Sequence, residues 1–352
     1  MNQKGDAQGS SAKGVSPIRT QHAVVHAKRS LSAALVVFSF ALSVFAQQPS
    51  APRQALPTLT TALAAHSLPT DQAKLGYPVR LHGVVTYYDP YTSPKVGAYF
   101  ICDSSGCIAV LVPPQPILPI RPGSVVDMSG VSAPGNYAPI LEGSEVRVVG
   151  QSELPANAPR RSLGELMTGA YDSRWTEVEA VVHSIENSGH TVTLTLALED
   201  GMIRGITPVE AGADYARLID AQVLIRGNAA PVWTKNRQMV GARLLFPSLA
   251  TVSVEQPAPA DPFALPAHAV NTLLRFAPGA RFVHRVRVTG QVTLQWPGRW
   301  LYIEDGSQGL FIPTVQKTPL KLGDVVDAVG FPAMGEYSAM LEDAIFKPQG
   351  SG

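Results

Sequence analysis

The residues of this chain whose side chains could do chemistry are two cysteines, eight scattered histidines and a set of tyrosines and tryptophans. Cys102 and Cys107 stand in C-D-S-S-G-C, on either side of a four-residue turn between two strand-like runs. They can therefore face each other across a hairpin, and in an oxidising compartment that placement suits a disulfide. Two free thiols or half of a metal site are the alternatives. The second lacks a histidine or further cysteine pair at ligand spacing, so no metal is expected. His22, His26, His66, His82, His183, His190, His268 and His284 form no cluster in sequence and read as surface or strand-face residues. A nucleophile elbow, a phosphate-binding loop, a dinucleotide fingerprint and H-E-x-x-H are all missing, so neither a catalytic constellation nor a cofactor is expected.

Aromatic residues are the better candidates for a binding surface. Tyr87, Tyr88, Tyr91 and Tyr99 surround the first hairpin, and Trp296, Trp300 and Tyr302 stand in a similar stretch nearer the C-terminus. Rings exposed on strands can stack on sugars or bases; buried, they would only close a core. Interleaved basic residues are few, Lys95 and Arg299, which argues against single-stranded nucleic acid and leaves a small ligand, a saccharide, a peptide or another protein module.

The elements that must position these residues come in three copies. Val79–Gly150 runs VRLHGVVTYYDP, AYFICDSSGCIAVLV, RPGSVVDMSG and APGNYAPILEGSEVRVVG. The order returns at Val286–Gly350 as VRVTGQVTLQWP, WLYIEDGSQGLFIPT, KLGDVVDAVG and PAMGEYSAMLEDAIFKPQG, with a divergent copy between them from WTEVEAVVHSIENSG onward. In the first strand Val79, Leu81, Gly83 and Val85 share one face; Arg80, His82, Val84 and Thr86 share the other. Gly83 and Gly290 lie mid-strand, with Ala180 at the matching place, as befits a long first strand that coils to pair with both halves of a sheet. Asp103 and Asp305 open the hairpin turns through side-chain bonding and are read as turn formers. A short apolar helix is expected before each copy, at Leu59–His66, Ser162–Thr168 and His268–Phe276, plugging a barrel end or packing between neighbours.

This pattern is all-β: a tandem array of three small five-stranded barrels of the OB (oligonucleotide/oligosaccharide-binding) type. The expected division is a leader at 1–46, a spacer at 47–58, barrels at 59–150, 162–254 and 268–352, and stiff Pro-rich linkers at 151–161 and 255–267. In the leader, Lys28 and Arg29 precede the apolar run Leu31–Ala46, too short for an ordinary span, and Val44 and Ala46 suit a cleavage site before Gln47. A secretory signal peptide is the expectation and an uncleaved anchor the alternative. Without the leader, 23 of the 28 basic and 26 of the 27 acidic residues remain, a net of −3, which gives no general attraction for phosphate backbones.

The order V-x-V-x-G-x-V-T, L-Y-I-E-D-G-S-Q-G-L-F-I, L-x-x-G-D-V-V-D-x-x-G and P-x-x-G-E-Y-S-A-M-L-E resembles the exported OB-like sensor region of some bacterial sensor histidine kinases. The resemblance covers roughly Pro57–Gly352. It implies a non-enzymatic sensing or interaction array outside the cytoplasm, periplasmic or secreted, as the N-terminal part of a two-component signalling receptor. No phospho-accepting histidine box or ATP-binding glycine motif follows, so no kinase activity carries over. The membrane would be reached only through a span beyond this sequence or an uncleaved leader, and the array could act as a homodimer. The alternative is a stand-alone secreted OB-fold protein that binds oligosaccharide or nucleic acid.

Overall fold

A computed structural model of the chain describes residues 55–236, 238–273, 283–336 and 338–351. The expected signal peptide, most of the 47–58 spacer and the last three residues of the third lead-in helix lie outside the described residues. Strands dominate, and no helix among the described residues is long and apolar enough to cross a membrane.

Barrel 1 comprises β1 (Pro78–Ser93), β2 (Val96–Asp103), β3 (Gly106–Val112), β4 (Ser124–Ala133) and β5 (Ile140–Gln151), closed in the order β1-β2-β3-β5-β4. Barrel 3 repeats that order with β12 (Val286–Trp296), β13 (Trp300–Glu304), β14 (Gly309–Pro313), β15 (Asp324–Met334) and β16 (Ala339–Ser351). Between them lie β6 (Trp175–Asn187), β7 (Thr191–Leu198), β8 (Gly201–Pro208), β9 (Gln222–Trp233) and β10 (Met239–Leu245). Because β10 pairs with β8 on one side and β9 on the other, this barrel closes in the same order. A sixth strand, β11 (Val252–Gln256), adds to β9. The expectation of three OB-like barrels is therefore met. The start of the 255–267 linker corrects the expected spacer, because it is hydrogen-bonded into barrel 2 through Gln256–Gln222.

The long first strand pairs with both neighbours, and glycine is what permits it. His82, Gly83 and Val84 of β1 lie opposite Asp127, Val126 and Val125 of β4, and Val84 also faces Cys102 of β2. A Cβ on Gly83 would come within 2.5 Å of the Cys102 carbonyl oxygen, and one on Gly290 within 2.9 Å of the Glu304 carbonyl oxygen. Backbone approach that close tolerates no side chain.

Each first strand also carries a bulge soon after, between Val85 and Tyr87, Val182 and Ser184, and Val292 and Leu294. Thr86, His183 and Thr293 are the extra residues, and beyond each of them the inward and outward phases exchange.

The cores follow the period-two pattern. Val79, Leu81, Val85, Ile101, Ile108 and Val126 meet inside barrel 1; Val288, Val292, Leu301, Ile303, Leu310 and Ile312 do so in barrel 3. The lead-in segments plug one end of each barrel. Helix α1 (Ala62–His66) sends Ala62 and Ala65 into the first core, and α3 (Leu163–Leu166) sends Leu166 into the second. In the third, a single 3-10 turn at Val270–Thr272 takes the place of the expected helix, and Val270 enters the core. A second short helix, α2 (Thr70–Ala73), lies against β4, where Ser132 donates to the Ala73 carbonyl at 2.9 Å.

One aspartate in each barrel ties the plug to the hairpin. Asp103 Oδ1 accepts from Ser105 N and Gly106 N, closing its own turn, while Oδ2 accepts from Ala62 N at 2.7 Å. Asp200 accepts from Leu163 N and Gly164 N at 3.0 and 2.7 Å. Asp305 accepts from Ser307 N, Gln308 N and, at 2.7 Å, Val270 N. The turn role expected for Asp103 and Asp305 is thus half of what they do. The other half satisfies the orphan donors at the start of a lead-in segment. Burial by itself would raise the Asp305 carboxyl, but the hydrogen bonds from Ser307, Val270 and Gln308 hold it at about 2.

Candidate functional site

The sulfurs of Cys102 and Cys107 are bonded (S–S 2.05 Å), joining residues paired directly across the β2–β3 hairpin. The bridge packs against Trp175, with Leu154 and Ala158 of the 151–161 segment alongside. It fastens the hairpin next to the second barrel.

The seven aromatic candidates do not form one kind of surface. Tyr99 is wholly buried in the barrel 1 core, its hydroxyl lacks a partner among the described residues, and burial drives its pKa up. The pairing explains this correction. Counting back from the hairpin, Cys102 matches Glu304, so Phe100 matches Tyr302 and Tyr99 matches the inward-facing Leu301. A one-residue offset exchanges the two faces of a strand. Tyr88 is partly buried against the core, and its hydroxyl accepts from Leu118 N at 3.0 Å. Tyr87 points outward from β1 yet is buried, because barrel 2 covers it; burial first and the charge of Asp89 second raise its hydroxyl pKa. Tyr91 stacks on His190 of barrel 2 with ring centres 4.4 Å apart.

On barrel 3 the expected ring cluster is present. Trp296 and Trp300 are cross-strand partners with ring centres 6.1 Å apart; Trp300 and Tyr302 lie at 5.5 Å, and Tyr302 and Phe311 at 4.9 Å. The Arg299 guanidinium sits 4.6 Å over the Trp296 ring. With Leu294, these residues form an exposed aromatic face on the outside of β12, β13 and β14.

A second candidate was not legible in sequence. Where barrel 2 meets the outer face of barrel 1, a cavity of about 460 Å³ is walled by Tyr87, Phe100 and Tyr137 on one side and by Trp233, Leu245 and Arg243 on the other. This volume lies in the range of small-molecule sites. Arg243, on β10, is partly buried, and burial lowers its pKa. Its guanidinium lies 6.0 Å from the centre of the Trp233 ring and within the field of Asp172, has no hydrogen bond or ion pair among the described residues, and its Nε is buried without a partner. The two carboxylates of the cavity already have donors. Asp89 accepts from Tyr91 N at 2.8 Å, and Asp172 faces His66 Nε2 at 2.8 Å. Sequence offered no signal for this site, because its walls come from two different barrels, far apart along the chain.

Besides His190 on Tyr91, three more histidines read as strand-face or surface residues prove to be junction residues. His66 reaches Asp172 of the next barrel. His183 stacks on Phe331 at 3.7 Å and donates through Nε2 to the Val283 carbonyl; burial lowers its pKa. His284 Nδ1 lies 2.9 Å from Asp220 Oδ1. No group of three or more His, Cys, Asp or Glu side chains that could hold a metal occurs among the described residues.

No protein-family model matches the chain, and no curated protein sequence does. Among solved structures it is similar to an aspartyl tRNA synthetase from Entamoeba histolytica (13% identity, TM-score 0.24), over 32% of this chain and 25% of the synthetase. It is also similar to the p204 HINb domain (11% identity, TM-score 0.22), covering 48% of this chain and 95% of that one. A third is a murine DNA-binding protein bound to double-stranded DNA (10% identity, TM-score 0.26), covering 51% and 99%. The last does not fit the expectation against nucleic acid drawn from charge, but likenesses this weak carry no argument about partners.

Proposed function

We propose that this chain is a non-enzymatic, exported sensing array, the ligand-binding part of a two-component receptor, which takes up a small amphipathic carboxylate between barrels 1 and 2. The observation that carries this reading is Arg243. A guanidinium whose Nε is buried without an acceptor in an aromatic-walled cavity is a costly arrangement, and its planar fork matches a carboxylate. The aromatic walls would take the apolar body of the ligand. Binding there would bear on both barrels at once and so on their mutual placement, which is what a sensor needs. No reaction is assigned to the site.

Calorimetric titration of the full chain with aromatic and aliphatic carboxylic acids, each against its amide, tests this. The acids should bind and quench Trp233 fluorescence. Arg243→Gln should weaken them at least roughly tenfold, the scale of a charged hydrogen bond. Equal affinity for acid and amide, or indifference to Arg243→Gln, would sink the reading.

The rings of Trp296, Trp300 and Tyr302 favour a second reading, a secreted binder of polysaccharide or nucleic acid. Affinity electrophoresis on polysaccharide gels and with single-stranded oligonucleotides, with Trp300→Ala as the control, separates the two.

A further inference from the structure

The two junctions of the array are made the same way. At the first, the bulge residue Thr86 of barrel 1 donates through Oγ1 to Asn228 Oδ1 of barrel 2 at 2.8 Å. At the second, the bulge residue His183 of barrel 2 stacks on Phe331 of barrel 3 at 3.7 Å. Asn228 and Phe331 hold one place in the fold, directly after Gly227 and Gly330 on the fourth strand, opposite the start of the first. The turn before each first strand joins in. Asp172 takes His66 at one junction, and the Val283 carbonyl takes His183 at the other. All four central residues, Thr86, Asn228, His183 and Phe331, are buried.

This leaves one unmatched surface at each end. On barrel 3 the equivalent bulge residue, Thr293, is exposed beside Leu294 and Trp296, which are 52% and 53% exposed. On barrel 1 the residue after Gly130 on the fourth strand is Val131, 40% exposed, and the turn before the first strand presents Leu75, 60% exposed. A Cβ built on Gly76, in that turn, meets open space. The tail surface is thus of the kind that receives a barrel, and the head surface of the kind that is received. The bare side chains named on each, Leu294 and Trp296 at the tail and Val131 and Leu75 at the head, are apolar.

We propose that the exposed face of barrel 3 receives barrel 1 of a second copy, so that the array continues head to tail through a third junction of the same design. Such an interface is heterologous and does not close on itself unless the rotation permits a ring. This goes beyond the ligand reading, which concerns the covered face of barrel 1 and can fail or stand separately.

Sedimentation of the full chain should show mass that grows with concentration. Leu294→Glu blocks the tail and Val131→Arg blocks the head; both sites are exposed, and circular dichroism checks that each variant folds. Each variant alone should be monomeric, with self-association weakened at least roughly tenfold, the scale of a central interface residue. Mixed, the two should form a one-to-one dimer and nothing larger, because the only free head meets the only free tail and both outer ends are blocked. A wild-type chain that stays monomeric overturns the proposal. So does self-association of Val131→Arg alone, which would mean tail-to-tail pairing. So does binding of a polysaccharide or oligonucleotide by the Leu294 face in a chain that never self-associates.

Discussion

On barrel 1 the outer face of the first three strands carries Tyr87, Ala98, Phe100 and Ala109; on barrel 3 the matching positions are Leu294, Trp300, Tyr302 and Phe311. The backbones of these faces pair alike, but their surroundings differ. Alanines at two of the four places on barrel 1 let barrel 2 approach and bury Tyr87 and Phe100. On barrel 3 the larger side chains stack on one another and stay open to solvent. Residue type alone therefore does not say whether an outward ring on an OB-like strand binds a partner. What decides is whether the neighbouring module has already taken the face.

The sharpest test of the comparison sets an inward ring against an outward one. Tyr99→Ala should cost about 3–5 kcal/mol in urea unfolding, as large-to-small changes in a core do. Tyr302→Ala should change stability by less than about 1 kcal/mol. Tyr99→Phe removes only a hydroxyl with no partner and should leave stability unchanged or raise it by roughly 1 kcal/mol. Equal losses for the two alanine variants would break the assignment of faces.

Next in size is the bridge under the covered face. Replacing Cys102 and Cys107 together by serine should cost roughly 2 kcal/mol, by the loop-closure relation for so short a loop. Barrel 3 has no such bridge, so reducing agent should shift the melting of barrel 1 and spare barrel 3, as hydrogen exchange would resolve.

The junctions differ in their response to pH. His183, with its pKa held down by burial against Phe331, stabilises the second junction as a neutral ring. Because its folded pKa lies below the unfolded value, this stability is complete above the unfolded pKa of 6.5 and declines as pH falls below it. Asp220, His284 and Arg285 surround the ring, so His183→Phe is the control that should flatten the decline. Small-angle scattering from pH 7.5 to 5 (roughly one unit to either side of a histidine's pKa) would report barrel 3 loosening; no change would remove this role from His183.

The smallest effect belongs to the hairpin aspartate of barrel 3. Its folded pKa lies below the ordinary value, so its contribution is present above 3.8 and lost as pH falls through about 2. Asp305→Asn should weaken the plug of barrel 3 by about 0.5–1 kcal/mol at neutral pH, as loss of a cap does, and reduce the acid sensitivity of that barrel.

Much of the fold is written locally. The recurrence of strand, hairpin, Gly-x-Val-Val-Asp turn and final hairpin in the first and third copies, with a divergent copy between them, marks tandem barrels, because each step depends on residues a few positions apart. Gly83 and Gly290 announce a first strand under close backbone approach. Asp103 and Asp305 announce their turns, and Cys102 and Cys107 face each other because a hairpin makes them do so. Even the burial of Tyr99 was within reach of the sequence, since it lies in phase with Ile101 and one step out of phase with the place that Tyr302 holds.

What tertiary structure alone decided is every contact between distant elements, within a barrel and from one barrel to another. The second bond of Asp103, to Ala62 N, spans forty-one residues, and that of Thr86, to Asn228, spans 142. No periodicity in a strand encodes such a partner. Barrel 2 hides Tyr87, leaves Arg243 facing a cavity without an acceptor, and puts His183 on Phe331 rather than in solvent. Alternation states which way a side chain points from its own sheet, whereas burial depends on what is packed against that sheet, and only the assembled array determines that.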